Sequence, residues 1–247
     1  MKKSAQVVSC VFIIISSATC QAEFSPHNLP GMGDLVMFID QADRSRVEEE
    51  IYDTYGRVSA DIPVADTAQG QTASELAGLL SGSSETLRQK LIDAFLESRS
   101  QLLKNLSDNN YAVDDMGVAC AVSFILLWEL ASHRELSQAA SLQAAKLLVH
   151  SFHNLEVEYA RISDEEKAKA YDWLITTPVA LASLVAAYEY RGREKEVKML
   201  REKSASLFLS VFKIPREMLK ISESGVISVD IDRVLTYQQE LSSNITW

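Results

Sequence analysis

Apolar side chains recur every three to four positions from residue 84 onward, the spacing that places them on one face of an α-helix. Ser84 can cap the start of the first such helix, and Glu85 suits the positive end of the helix dipole. The apolar positions that follow are Leu87, Leu91, Phe95, Leu102 and Leu106. The pattern predicts a long amphipathic helix that ends in the polar stretch 107–110.

The next helix is predicted to form the centre of the fold. It begins near Asp114 and Asp115, whose charges complement a helix start. Residues 118–130 are apolar almost all round. A stretch of this length is too short to cross a bilayer, and a helix that is apolar on every side is normally buried. We therefore expect residues 118–130 to be a buried core helix.

Two further long helices follow. The first is predicted over about 135–159. Ser163 and Glu166 have the spacing of a capping box, which opens the second helix and directs it towards Tyr190. Pro178 lies inside that stretch and predicts a kink or a break just before it.

The C-terminal part predicts one more long helix and a few short elements. Gly192 marks a helix–helix turn, and residues 193–212 form the fifth main helix. A short non-helical turn or strand is expected near 226–229, and a short helix near 234–241. Because short connections favour antiparallel neighbours, we predict an all-α fold, a single helical bundle of about five main helices.

The first 22 residues have the layout of a secretory signal peptide. Lys2 and Lys3 precede an apolar run over residues 7–15, and small residues lead to a cleavage site near Ala22. This predicts an exported protein, periplasmic or secreted. Lipoprotein processing at Cys20 is the alternative, and Thr19 fits it poorly because Gly or Ala usually stands there.

Residues 23–82 lack a strong helical pattern. Their prolines and glycines predict an irregular segment, with a helix over about 34–55, a broken and mobile stretch over 56–70, and a helical turn or two over 73–80. The predicted division of the chain is a signal peptide at 1–22, an irregular segment at 23–82 and a helical domain at 83–247.

The charge balance excludes some partners. Against 24 Lys and Arg stand 34 Asp and Glu, a formal net charge of −10. Nucleic acids and anionic membrane surfaces both attract basic proteins, so we expect neither as a partner. No transmembrane span is expected after removal of residues 1–22, and the sequence leaves the oligomeric state open.

Several short motifs stand in a fixed order along residues 109–225. They are Asn109-Asn110, Asp115, Trp128-Glu129, Gln143, the run 163–167, Gly192 and the run 219–225. In this order they resemble an uncharacterised family of exported bacterial all-helical proteins, known as a domain of unknown function. The resemblance implies an exported helical domain and supplies no activity, cofactor or ligand.

Two histidines are the strongest candidates for metal chemistry. His150, His153 and Glu156 can share one face of a helix. They lack the His-Glu-x-x-His order of a zinc hydrolase, and apolar residues interleave with them. We interpret the histidines as solvated or rim-facing and predict neither a metal site nor a cofactor. A hydrolase or metal-dependent enzyme that uses them stays the alternative.

The remaining candidates are a cysteine, an acid and an aromatic group. Cys120 lies in an apolar run and is predicted to be a buried thiol. Glu129 stands among apolar residues and needs a partner if it is buried. The aromatic group comprises Tyr171, Trp173, Tyr188 and Tyr190. We predict a non-catalytic binding module, with Trp173, Tyr188 and Glu129 as binding residues and a protein as its partner.

Overall fold

The computed structural model describes residues 56–65 and 70–243, together with Leu29, Met32, Leu35, Ile39 and Asp53; the side chains of residues 241–243 are excepted. The predicted signal peptide, with Cys10 and Cys20, lies outside the described residues. So does most of the helix predicted over 34–55. Leu35 and Ile39 are helical and buried in the main core.

The described part is an all-α bundle with one small hairpin, as predicted. Its helices are α1 Gln71–Ser81, α2 Glu85–Asp108, α3 Met116–Ser132, α4 Gln138–His153, α5 Glu156–Tyr159, α6 Asp164–Tyr190, α7 Glu194–Phe212 and α8 Ile231–Ser243. A 3₁₀ turn, Arg216–Met218, leads into β1 Leu219–Ile221, which pairs antiparallel with β2 Ile227–Val229. The non-helical segment predicted near 226–229 is therefore one strand of a hairpin.

Two predicted helix starts are confirmed by their caps. The Ser84 hydroxyl accepts a hydrogen bond from the Leu87 N–H at 3.4 Å. Ser163 and Glu166 form a reciprocal capping box at the start of α6. Such caps pair main-chain N–H groups that have no partner inside the helix.

The centre of the bundle is α3, as its sequence predicts. It packs against α4, α6 and α7. The Phe124 ring meets the rings of Phe208 and Phe212 edge to face, with centroids 4.9 and 4.8 Å apart. These contacts give aromatic pairs their favoured geometry. Leu127 is fully buried, whereas Leu126 is half-buried, so even this helix has a more exposed side.

A kink or a break was predicted before Pro178. The break is wrong, because α6 continues through this position as one helix. Pro178 is buried, and Leu174 and Leu181 on either side of it belong to the main core. Packing on both sides of the proline therefore holds the helix together despite the lost hydrogen bond.

Helix α6 also meets the length and hydropathy criteria for a membrane span. Its most apolar 18-residue window is 61 % buried inside the bundle. A core helix of a soluble protein passes the same test, so the helix is weak support for a membrane location.

The stretch 56–65, expected to be broken and mobile, contains a segment that packs into the core and bends at Asp61, which has a φ of 58°. We call residues 57–64 the strap. Val58, Ala60 and Ile62 are buried in the main core. The strap lies along the loop between α2 and α3, with single β-bridges from Val58 to Tyr111 and from Pro63 to Asp115.

Helix α1 also packs on the bundle. It contacts α2 and α6, and a second small core forms around Ala73, Ala77, Phe95 and Ala180. In the described part of 23–82, both the strap and α1 are thus joined to the helical domain.

Candidate functional site

The Asp115 carboxylate, at the predicted start of α3, accepts four hydrogen bonds. It is 2 % exposed. One oxygen accepts the Val118 N–H at 2.8 Å and so caps α3. The other accepts three donors from the strap, namely Ser59 Oγ at 2.9 Å, Ala60 N at 3.2 Å and Ile62 N at 2.9 Å.

Burial and hydrogen bonding act in opposite directions on Asp115. Burial raises the pKa of its carboxyl, and the bonds from Val118, Ile62, Ser59 and Ala60 lower it, with burial the larger effect. The donors to this carboxylate lie in the strap and in the first turn of α3. Asp115 therefore fastens the strap to the start of α3.

A second buried aspartate binds the start of α1 in a similar way. Asp172, on α6, accepts the Thr72 N–H at 2.9 Å and the Gly70 N–H at 3.4 Å. Arg99 Nε of α2 lies 3.6 Å from the same carboxylate. Asp172 thus joins α1, α2 and α6. Asp172 is not among the residues predicted from the sequence, although an acid on the otherwise apolar face of α6 was a usable signal.

The two candidate histidines, His150 and His153, lie in the last turn of α4. His153 Nδ1 lies 3.1 Å from the Ala60 carbonyl oxygen, so this ring holds the strap. His150 is half-buried on the same helix. Among the described residues, no group of three or more His, Cys, Asp or Glu side chains lies close enough to hold a metal ion.

Cys120 is buried, as predicted, with its sulfur 3.7 Å from the Tyr159 hydroxyl. Burial raises the pKa of its thiol to about 12. A nucleophilic cysteine needs a lowered pKa, so the environment of Cys120 favours an inert thiol.

Glu129 has the partner that its position requires. Its carboxylate accepts the Leu136 N–H at 2.7 Å and so fixes the loop after α3. Burial raises the pKa of this carboxyl, the Leu136 bond lowers it, and Glu135 adds a smaller upward effect.

Helices α3 and α6 run in the same direction. The Tyr171 hydroxyl near the start of α6 donates to the Val113 carbonyl, just before α3. At the other end, Glu189 is close enough to affect the pKa of His133, just after α3. Glu129 and Tyr188 therefore lie towards the same end of the bundle.

Trp173 lies near the opposite end. It is fifteen positions before Tyr188 on one continuous helix, which corresponds to about 22 Å along the axis. Both rings are half-buried and pack against the main core. The three predicted binding residues therefore do not form one compact site.

The turn between α6 and α7 exposes an aromatic side chain close to Tyr188 in the sequence. We call residues 188–193 the hairpin tip. Tyr190 is 94 % exposed. The Arg193 guanidinium lies over the Tyr188 ring, 5.8 Å from its centroid, and also pairs with Glu196. Arg191 is exposed next to them.

An ion pair and a hydrogen bond to a helix end lie near the base of the hairpin tip. Arg201 of α7 pairs with Glu189 of α6 at 2.5 Å. Arg216 donates to the Ala131 carbonyl at the end of α3, where a cation complements the helix dipole. The Arg201–Glu189 pair thus joins the hairpin tip to α7.

Comparisons with protein-family models, with curated proteins and with solved structures found no match. The resemblance over residues 109–225 stays a prediction.

Proposed function

We propose that this chain is an exported, non-catalytic helical module that binds a protein partner through the hairpin tip. The layout of residues 1–22 supports export. The observation that carries the binding proposal is Tyr190, a large aromatic side chain that is 94 % exposed beside two arginines.

The composition of the tip suits recognition. Tyrosine and arginine are enriched among the residues that contribute most to protein–protein binding. Tyr188 is already fixed by its contact with Arg193, so little side-chain freedom would be lost there on binding. Tyr190 supplies apolar area that a partner can cover.

Three carboxylates that lie within the bundle are engaged in the fold. Asp115 accepts four hydrogen bonds, Asp172 accepts main-chain N–H groups of α1, and Glu129 accepts from Leu136. These roles support the non-catalytic interpretation over the hydrolase alternative.

Site-specific photo-crosslinking in the cells that naturally make the protein tests this proposal. A benzophenone amino acid replaces Tyr190 in one variant. In a second it replaces Val157, which is 63 % exposed on α5 and serves as the matched control. A third variant carries it at Trp173. We expect a discrete protein adduct at position 190 that is absent at 157.

The result would be strengthened by loss of the adduct in a chain that also carries Arg191→Glu. Equal adducts at positions 190 and 157 would contradict the proposal. An adduct at position 173 alone would move the binding surface to the other end of α6. Multiple-turnover hydrolysis of a defined substrate by the purified protein would instead favour an enzyme.

A further inference from the structure

The small hairpin has one strand edge that faces away from its partner strand. Two hydrogen bonds of 2.9 Å flank the paired residues, from the Asp230 N–H to the Met218 carbonyl oxygen and from the Ser222 N–H to the Val226 carbonyl oxygen. In an antiparallel pair, bonded and non-bonded positions alternate. Given the register of β1 and β2, Ile227 and Val229 therefore fall at non-bonded positions. Their main-chain N–H and C=O groups point away from β1, along a side of β2 that we call the outer edge.

In the part of the chain that the structure describes, the main-chain N–H and C=O groups of Ile227 and Val229 have no hydrogen-bond partner. The side chains of these two residues are half-buried and pack against the main core. Ser228, between them, is exposed. One face of the strand is thus fixed, while two donors and two acceptors stand along its outer edge.

The sequence of the outer edge favours pairing with another strand. Residues 226–229 are Val-Ile-Ser-Val, with three β-branched side chains, no charge and no proline. β-branched residues fit strands, and proteins commonly protect exposed strand edges with lysines, other charges or proline. The shortness of β2 is one such protection, and the charges and the proline are missing.

The outer edge is also held in place before any ligand binds. Gly225, at the turn before β2, has a φ of 76°, and a Cβ atom there would lie 2.4 Å from the Ala140 carbonyl oxygen. The turn therefore packs directly on the start of α4. Because the edge is preformed, little conformational freedom would be lost when a ligand binds to it.

We propose that the outer edge of β2 binds an extended segment of a partner protein as an added strand. An extended main chain presents N–H and C=O groups at the spacing of the four open groups. In an antiparallel segment, the residues opposite Ile227 and Val229 would point their side chains to the same face as those two, and the residue between them would lie beside Ser228. The segment should therefore be apolar at two alternate positions and polar between them. This inference goes beyond the hairpin tip and does not rest on it.

A pair of synthetic peptides tests the added strand. The first has the sequence of residues 217–223, because β1 already shows the antiparallel register of this sequence with β2. The second is identical but carries N-methyl groups on the residues equivalent to Leu219 and Ile221, which removes the N–H donors and keeps the side chains. In isotope-labelled full-length protein, the first peptide should saturably shift the amide NMR signals of Ile227 and Val229 and slow their exchange with solvent. The second should bind at least about tenfold more weakly.

The other amides of the hairpin separate edge binding from strand replacement. Lys220 and Ser228 lie opposite each other at a bonded position, so their amides should keep their signals and their slow exchange. Loss of these signals would mean that the peptide replaces β1 and would overturn the proposal. Equal binding of the two peptides, or no shift at Ile227 and Val229 with millimolar peptide, would overturn it too.

A matched pair of full-length variants tests the same edge from the protein side. Val229→Pro removes an outward N–H and no bond to β1, and proline is tolerated at an edge position of this kind. Val229→Thr keeps the N–H and the β-branched shape. Only Val229→Pro should lose the unmethylated peptide, and retained binding by both variants would overturn the proposal.

The comparison of the two peptides on the wild-type chain does not depend on how Val229→Pro folds. Analytical ultracentrifugation without peptide supplies the last control. A concentration-dependent dimer of the wild type that Val229→Pro abolishes would assign the outer edge to a second copy and overturn the proposal.

Discussion

Asp114 and Asp115 are neighbours with the same side chain and opposite surroundings. Asp115 is buried and accepts four hydrogen bonds, and Asp114 is exposed and pairs with Arg57. A buried donor that loses its acceptor costs free energy, whereas an exposed ion pair contributes little. The adjacent pair thus allows a controlled comparison.

We predict that Asp115→Ala lowers the free energy of unfolding by at least about 3 kcal/mol, because several buried donors lose their acceptor together. Asp114→Ala should lower it by less than about 1 kcal/mol. Urea unfolding of both variants measures the difference. Similar losses in the two would mean that the strap is not fastened through Asp115.

Glu129 gives a prediction about pH. Burial raises the pKa of its carboxyl, so the folded protein holds this proton to a higher pH than the unfolded chain does. Between the two pKa values, the group lowers stability as pH rises. Glutamine does not titrate and keeps the oxygen that binds the Leu136 N–H.

The stability of Glu129→Gln relative to the wild type should therefore be higher at pH 7 than at pH 4. Chemical unfolding of both proteins at the two pH values tests this. A difference that is constant with pH would show that the carboxyl titrates as it does in the unfolded chain, and a larger difference at pH 4 would show that its pKa is lowered in the folded protein.

At the scale of elements, the sequence predicted most helices because their signals are local. Ser163 and Glu166 lie three positions apart and fix the start of α6 without help from the rest of the fold. The β1 strand was missed, because three residues carry too little pattern and its partner lies beyond a turn. The wrong break at Pro178 has the same origin, since only tertiary packing holds α6 together there.

Helix α3 also shows what an apolar sequence leaves undecided. Residues 118–130 are so uniformly apolar that the sequence alone gives no inward side, and the structure buries Leu127 fully and Leu126 only in part. We predict that Leu127→Ala costs about 2–5 kcal/mol of unfolding free energy and that Leu126→Ala costs clearly less. Thermal and urea unfolding of the two variants would rank them. The reverse order would mean that α3 is rotated relative to the structure.

At the scale of the whole molecule, the candidate site was only partly predictable. Asp115 was recognisable as an acid at a helix start and Glu129 as an acid among apolar residues. However, three of the four donors to Asp115 come from more than 50 positions away. Nothing local to residues 57–64 indicates that they are buried. Likewise, only the course of α6 shows that Trp173 and Tyr188 lie far apart.

The predicted boundary between the segment 23–82 and the helical domain 83–247 can be tested directly. A chain that begins at Ser83 lacks the strap and α1. Asp115 then loses its hydrogen bonds from the strap, and Asp172 loses its hydrogen bond from Thr72. We predict that it loses the sharp cooperative melting of the full chain and binds a dye specific for exposed apolar surface. Equal melting of the two chains would make residues 83–247 an independent domain.

The long sequence separations between the two aspartates and their donors also determine how long the donors wait during synthesis. Ile62 is made 53 residues before Asp115, and Thr72 is made 100 residues before Asp172. At about 5–20 residues per second, the strap waits about 3–10 seconds for its acceptor and α1 waits about 5–20 seconds. During that interval the strap and α1 lack the aspartates that bind them in the folded protein. The N-terminal part of the described chain is therefore complete well before the residues that hold it in place.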